Sequence, residues 1–178
     1  SRFCQGLLRN VAEMYGPLLE NFIVHYHSND DVTECVDFYG GRKGVYQSKR
    51  ANKVVPATIY FREHDFYITG YEIQHNDSPK MTDWVIVGCK SPDDKGVILD
   101  RRTNQSMPKT DSFYSYEITE NNDKPFRLIR IIGCNGFLCF KSFDFYGTAK
   151  PGKRNPFTDA QLLSSYYYPD GVSEMYVE

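Results

Sequence analysis

Six short runs rich in Ile, Val, Tyr and Phe constrain the fold of this chain more than any other feature. They are separated by Gly, Asn, Asp, Pro and Lys, follow one another at intervals of about ten to twenty residues, and have no helical pattern between them. This pattern is typical of an antiparallel sandwich or barrel rather than of an alternating α/β fold. The predicted strands are 57–61, 66–74, 84–89, 115–118, 126–132 and 137–146.

The run 84–89 predicts a strand at the centre of a sheet. Apolar residues occupy both of its alternating faces, so we expect other parts of the protein to cover both. Trp84 begins this run, and its large ring is expected to be buried.

Near the N-terminus the apolar residues recur at three- and four-residue steps instead. This spacing predicts a helix over residues 3–23, kinked or divided at Gly16-Pro17 because proline lacks the N–H that a helix needs. The apolar stripe must be covered, either by its own domain or by another domain or chain. We favour another domain or chain, which makes the helix a candidate for oligomerisation. The stripe consists of Leu7, Leu8, Val11, Met14, Tyr15, Leu18, Leu19, Phe22 and Ile23.

Composition narrows the classes of function. The 21 Lys+Arg nearly balance the 23 Asp+Glu, so we expect no nucleic-acid partner and interpret the basic cluster within residues 42–53 as a solvated loop. No apolar run reaches the roughly 20 residues of a membrane span. The five cysteines are odd in number, fit no zinc-binding pair and lie partly in apolar runs. We therefore expect reduced thiols and an intracellular, cytoplasmic location.

The sequence contains none of the common catalytic motifs for nucleophiles, phosphate loops, dinucleotides or metal hydrolysis. The alternation His25-Tyr26-His27 would place two imidazoles on one face of a strand, but a metal site needs a third ligand. We expect no enzyme, no catalytic residue, no cofactor and no metal.

Arg127 and Arg130 are the most informative charged residues of the predicted strands. They lie three positions apart in an otherwise apolar run and therefore face opposite sides of the strand. At least one must lie on an apolar face, where it requires a carboxylate, a carbonyl or a bound ligand. We interpret the pair as structural.

Seven short segments carry a resemblance when they are taken in order. The series resembles the coagulation-factor type C family, also called discoidin domains, within the galactose-binding-like jelly rolls. The segments are VYQS at 45–48, ATIYF at 57–61, ITGYEI at 68–73, DWVIVGCKSPDD at 83–94, ILDRRTN at 98–104, FRLIRI at 126–131 and FDFYG at 143–147.

The resemblance implies a mainly β, antiparallel jelly-roll β-sandwich, to which the helix predicted from the apolar spacing adds an N-terminal helical extension. Residues 1–28 would be that extension or the end of a preceding domain, 29–148 the discoidin-like sandwich, and 149–178 a C-terminal tail. Secreted members often join their two ends by a disulfide, which this chain cannot form because no cysteine follows Cys139.

Discoidin domains are non-catalytic binding modules, many of which bind sugars, lipid headgroups or proteins through loops at one end. We interpret the chain as a protein–protein interaction module inside an intracellular scaffold or adaptor, with a carbohydrate-binding, lectin-like domain as the alternative. A lectin site combines aromatic platforms with directional donors on loops. The candidate ligand-binding residues are Arg50, His75, Asn76, Asp77, Asn135, Phe137 and Tyr46.

Overall fold

The computed structural model describes residues 6–7, 22–26, 46–47, 57–75, 81–109, 112–133 and 139–153, with only the backbone of 22–26, 46–47, 57 and 139. Ten strands lie in these ranges. They are β1 (Phe22–Tyr26), β2 (Tyr46–Gln47), β3 (Ala57–Phe61), β4 (His64–Gln74), β5 (Trp84–Cys89), β6 (Val97–Arg102), β7 (Phe113–Glu117), β8 (Leu128–Gly133), β9 (Cys139–Phe140) and β10 (Ser142–Pro151).

All of these strands pair in antiparallel fashion, as the run pattern predicts. A five-stranded sheet has the order β1-β3-β8-β5-β6, a three-stranded sheet the order β10-β4-β7, and β2 pairs with β9. The six predicted strands all correspond to observed ones, and the last of them is divided into β9 and β10. The sequence prediction missed β6, because its second half, Asp100 to Arg102, is charged.

The inner faces of the two larger sheets enclose one aromatic core. Phe61 and Phe66 stack with ring centroids 3.6 Å apart, and Tyr71 stacks on Phe143 at 5.4 Å. Trp84 is fully buried, as predicted. Every residue of β5 is buried, which confirms that this strand is covered on both faces, although β8 and not β5 lies at the centre of the sheet.

Strand β1 corrects one part of the helix prediction. Phe22 and Ile23, expected at the end of the helix, pair with Phe61 and Tyr60 of β3 at the edge of the five-stranded sheet. The β-rich run FIVHY fits a strand as well as a helix, and the open edge of β3 offers it backbone hydrogen bonds. The five residues of β1 thus belong to the sandwich.

Of the earlier part of the predicted helix, only Gly6 and Leu7 are among the described residues. Leu7 packs against the core, and Gly6 is buried so closely against Asp144 that a Cβ would lie 2.1 Å from its Cγ. These two residues therefore contact the sandwich itself. The remainder of the helix and its proposed role in oligomerisation stay predictions. Strand β1 lies before the expected boundary at residue 28, and β10 extends three residues into the expected tail.

Arg130 lies on an apolar strand and is only 2% exposed. Its guanidinium donates to the carbonyls of Pro92 and Asp94, at 2.8 and 2.9 Å, and lies 3.0 Å from the sulfur of Cys89. These partners confirm that a buried arginine here requires carbonyl acceptors. Cys89 is a free thiol, as expected, and burial raises its pKa to about 12.

Arg127 forms the ion pair expected of this strand. Its Nε donates to Asp65 at 2.6 Å, and its Nη1 donates to the carbonyls of Arg62 and Lys153. The contact to Lys153 holds the end of β10 against the turn between β3 and β4. Arg127 is therefore structural.

The loop between β5 and β6 folds around Asp94. Its carboxylate accepts hydrogen bonds from the backbone N–H groups of Lys90, at 2.9 Å, and Gly96, at 3.0 Å. Burial by itself would raise the pKa of Asp94, but these two N–H groups, together with Arg130, outweigh it and lower the pKa. Asp94 thus fixes the loop that supplies two carbonyls to Arg130.

Trp84→Ala should lower the free energy of unfolding by about 3–5 kcal/mol, because it removes the central ring of the core. Trp84→Phe keeps one aromatic ring in the core and loses the five-membered ring of the indole with its N–H, so its cost should be smaller, about 1–3 kcal/mol. Urea unfolding followed by circular dichroism measures both. Equal costs for the two variants would contradict this assignment.

Asp94→Asn should destabilise the protein at about pH 7 and have progressively less effect toward about pH 3. A carboxyl with a lowered folded pKa stabilises the fold above its unfolded pKa, and this contribution is lost as pH falls through the folded pKa. Chemical unfolding across this range, with the exposed neighbour Asp93→Asn as control, tests the prediction. A pH-independent difference between wild type and Asp94→Asn would refute it.

Candidate functional site

One end of the sandwich, here called the loop end, brings together the ends of six strands. Strands β4, β6 and β8 end there, and β5, β7 and β10 begin there. The two sheets meet at this end, where the ring of His75 lies 5.3 Å from the ring of Trp84. The pairs that define it are Trp84 with Arg102 and Gly133, and Gln74 with Phe113 and Ser142.

Described residues that adjoin several of the candidates in sequence lie at this same end. Residues 76–80 follow His75, residues 134–138 join β8 to β9, and Tyr46 pairs with Phe140 of β9. The backbone of Tyr46 and the whole of His75 are described. Arg50, Asn76, Asp77, Asn135 and Phe137 lie outside the described residues, and the site assignment stays a prediction.

His75 is only 2% exposed and packs between the two sheets beneath the surface of the loop end. Its Nε2 lies 3.2 Å from the hydroxyl of Tyr116, and its ring lies 5.3 Å from Trp84 and 5.7 Å from Tyr114. In this arrangement the imidazole positions aromatic side chains instead of facing outward. The sequence indicates a polar residue near a strand end but does not reveal its burial.

A chain of hydrogen bonds runs from the core to the edge of the loop end, and sequence reasoning missed it. The indole N–H of Trp84 donates to the hydroxyl of Tyr71 at 2.8 Å, and that hydroxyl donates to Asp100. The same oxygen of Asp100 accepts from Nε of Arg102 at 2.9 Å. We call these four residues the Trp84–Arg102 chain.

The electrostatics of this cluster keep its phenols protonated. Burial, together with the neighbouring Asp100 carboxylate, raises the pKa of Tyr71 far above its usual range. Burial also raises the pKa of Tyr116 to about 12, although the cation of Arg102 opposes this rise. Tyr71 is therefore a hydrogen-bond donor to Asp100 at neutral pH, and neither phenol is a catalytic base.

Arg102 links the edge strands of the two sheets. Its Nη2 donates to the carbonyl of Glu117 at 3.3 Å, and its guanidinium lies 5.1 Å from the ring centre of Tyr116. The side chain remains 31% exposed. Arg102 thus presents a fixed cation at the surface, between β6 and β7.

Two polar loops lie against each other next to Arg102. One carboxylate oxygen of Asp83 accepts hydrogen bonds from the hydroxyl of Thr82, at 2.8 Å, and from the backbone N–H of Asn104, at 3.1 Å. The N–H of Gln105 donates to the carbonyl of Thr82 at 3.1 Å. These contacts hold the segment after β6 against the segment before β5.

Within the described ranges, no three His, Cys, Asp or Glu side chains lie together so that they could hold a metal ion. Those same ranges also hold no helix that is long and apolar enough to cross a membrane. The described side chains of the loop end therefore offer hydrogen-bond donors, hydrogen-bond acceptors and aromatic rings.

Solved structures with the same arrangement of strands include the CBM62 module of Xyl5A from Clostridium thermocellum, which is 18% identical, with 72% of this chain and 94% of that chain covered and a TM-score of 0.53. An F5/8 type C domain from Bacteroides fragilis is 11% identical to this chain and has a TM-score of 0.55. The match covers 74% of this chain and 93% of that domain. The chain has the galactose-binding-like jelly-roll fold of discoidin domains. The resemblance inferred from the seven segments is thereby confirmed for the fold.

The same discoidin-type fold occurs in proteins of different function. A CBM32 module of a Clostridium perfringens protein, solved in complex with GalNAc-β-1,3-galactose, is 10% identical to this chain and has a TM-score of 0.55. The match covers 72% of this chain and 96% of that module. Allantoicase from Saccharomyces cerevisiae is 14% identical to this chain and has the same TM-score of 0.55. The match covers 74% of this chain but only 42% of allantoicase. No protein-family model matches the sequence, and no curated protein is similar to it.

Tyr71→Phe should lower the free energy of unfolding by about 1–3 kcal/mol, because it removes the hydroxyl that joins Trp84 to Asp100 and leaves a buried donor without its acceptor. Tyr67→Phe, on the opposite face of the same strand, is the matched control and should change stability little. Urea unfolding of both variants measures the difference. Equal effects would mean that the hydroxyl of Tyr71 contributes nothing specific.

Proposed function

We propose that this chain is a non-catalytic carbohydrate-binding module that holds its sugar at the loop end of the sandwich. The observation that carries the proposal is that the strand ends flanking the candidate loops all meet at this end, next to the exposed cation of Arg102. A rigid sandwich presenting several polar loops at one end is a scaffold suited to binding.

Similar structures support a sugar ligand over a protein partner. Two of those described above are carbohydrate-binding modules, and one of them holds a disaccharide. The sequence analysis favoured a protein scaffold and kept the lectin as the alternative. The fold likeness favours that alternative, so we adopt it here.

The residue types at the loop end suit a sugar. Tyr46 and Phe137 supply aromatic rings that can pack against the C–H face of a pyranose, while Arg50, Asn76 and Asn135 supply directional hydrogen bonds. Tyr46 lies in β2, the other proposed contacts lie between strands, and the buried His75 precedes Asn76 directly. We propose the same set of residues as ligand contacts, with His75 as a support rather than a donor.

The described residues favour binding over catalysis. The phenols of Tyr71 and Tyr116 have raised pKa values, and the thiol of Cys89 is buried with its pKa near 12. None of these groups is therefore an activated nucleophile or base at neutral pH. A reduced, buried Cys89 also agrees with the intracellular location that we propose.

A protein partner is the second candidate, and one observation favours it. Among the strands that the structure describes, β7 is an edge of the three-stranded sheet, and its Phe113 is 36% exposed. Free strand edges accept extended peptides, and an exposed aromatic side chain can add specificity.

Glycan-array screening followed by calorimetric titration with GalNAc-β-1,3-galactose tests the proposal. Asn76→Ala and Asn135→Ala should each weaken binding about tenfold, the effect of losing one neutral hydrogen bond. Phe137→Ala should weaken it at least as much. Lys124→Ala, exposed at the opposite end of the sandwich, is the control and should bind as wild type does.

Two results would overturn the proposal. The first is an array on which the folded wild-type protein binds no glycan. The second is sugar binding that the loop variants leave unchanged but that Lys124→Ala weakens. Protein capture abolished by Phe113→Ser, together with an empty array, would favour the second candidate.

A further inference from the structure

We propose that Arg102 is a further ligand-contacting residue of the loop end, donating hydrogen bonds to hydroxyl groups of a neutral sugar beside Asp100. This inference rests on the proposed function and deepens it by naming a contact and a class of sugar. Neither residue was among the candidates from the sequence. Four properties of the described side chains support the inference.

The first property is fixed orientation. An exposed arginine ordinarily samples many rotamers, and ordering it on binding costs conformational entropy. Arg102 is already held by Asp100 through Nε, by the carbonyl of Glu117 through Nη2 and by the ring of Tyr116 through its face. A ligand would meet a donor whose direction is set before binding.

The second property is support from the core. Asp100 does not hold Arg102 alone, because its carboxylate also accepts from Tyr71, whose hydroxyl accepts from the fully buried Trp84. The rotamers of these residues are fixed by packing on both sides. Sites built in this way keep their geometry better than sites made only of loop residues.

The third property is unused hydrogen-bonding capacity. Within the described part of the chain, Nη1 of Arg102 and the second carboxylate oxygen of Asp100 have no hydrogen-bond partner. Arg102 is about a third exposed and Asp100 about an eighth. The pair therefore offers both a donor and an acceptor to a ligand.

The fourth property is charge. Asp100 neutralises Arg102 locally, so the pair is a weak site for an anion, and the carboxylate would repel an acidic sugar. A hydroxyl group both donates and accepts, so it can use either free group. The pair therefore favours neutral saccharides over uronic acids.

The backbone of Arg102 lies at the loop end, and its side chain runs from there to Tyr116 and Glu117, the last two residues of β7. Arg102 is the last residue of β6, it pairs with Trp84, and the polar segment held by Asp83 follows it directly. A sugar bound beside the first residue of β5, where Trp84 pairs with Arg102 and Gly133, would adjoin this flank. Arg102 would then contact the side of the sugar nearest β6 and β7.

A purely structural latch between β6 and β7 is the competing role for Arg102, and the two roles make different predictions. A latch affects stability and leaves sugar affinity unchanged. A ligand contact affects affinity, and it does so even in a variant whose stability is preserved. Arg102→Lys keeps the positive charge but loses the planar guanidinium with its fixed set of donors. It therefore separates a ligand contact from a structural latch.

The experiment titrates wild type, Arg102→Met, Arg102→Lys and Arg101→Met with GalNAc-β-1,3-galactose and with glucuronic acid, and measures the melting temperature of each variant. Arg101 is the matched control because it precedes Arg102 on the same strand and pairs with Val85 on the other face. We expect Kd for the disaccharide to rise about ten- to a hundredfold in both Arg102 variants and to stay unchanged in Arg101→Met. Glucuronic acid should bind wild type more weakly than the neutral sugar.

Nuclear magnetic resonance of the arginine Nε–H groups gives a second, mutation-free measurement. The Arg102 resonance should move on addition of the disaccharide, and that of Arg101 should not. Sugar binding with an unmoved Arg102 resonance, or with unchanged Kd in folded Arg102→Lys, would overturn this inference and leave the proposed function standing. A wild-type protein that binds no glycan at all would overturn both.

Discussion

The hydrogen bond from the Trp84 indole to the Tyr71 hydroxyl is the contact on which this structure depends most. Trp84 lies in the five-stranded sheet and Tyr71 in the three-stranded sheet, so the bond joins the two layers through the middle of the core. Both side chains are fully buried. A buried indole N–H without an acceptor would cost free energy, so the packing of the two sheets and the position of Tyr71 are set together.

Each buried polar group in this region needs a hydrogen-bond partner, and the successive partners lie progressively closer to the surface. Tyr71 needs an acceptor and finds Asp100, and the carboxylate of Asp100 needs a cation and finds Arg102. Each step lies closer to the surface than the one before. A polar chain that begins as a structural necessity thus ends in an oriented, exposed arginine at the end of the sandwich that we propose as the binding end. The same four side chains would then serve both the stability of the fold and the binding geometry that we propose.

The N-terminal strand illustrates how local pattern and tertiary context compete. The residues FIVHY continue an apolar stripe with helical spacing, yet they also alternate well enough for a strand. Pairing with the free edge of β3 decides the outcome, because hydrogen bonds to an existing sheet are gained without the cost of nucleating a new element. Arg130 illustrates the opposite case, in which the sequence already required carbonyl or carboxylate partners and the loop around Asp94 provides them.

The sequence by itself determined the mainly β class, a strand at 84–89 that is covered on both faces, and the burial of Trp84, because alternation and turn residues act over neighbouring positions. Only the tertiary structure decided that His75 lies under the loop end and that Arg102 lies on its surface, although both are polar residues near strand ends. Burial of a single side chain depends on which strands become neighbours, and here the approach of Trp84 and Tyr116 covers one residue, while the edge positions of β6 and β7 leave the other open to solvent.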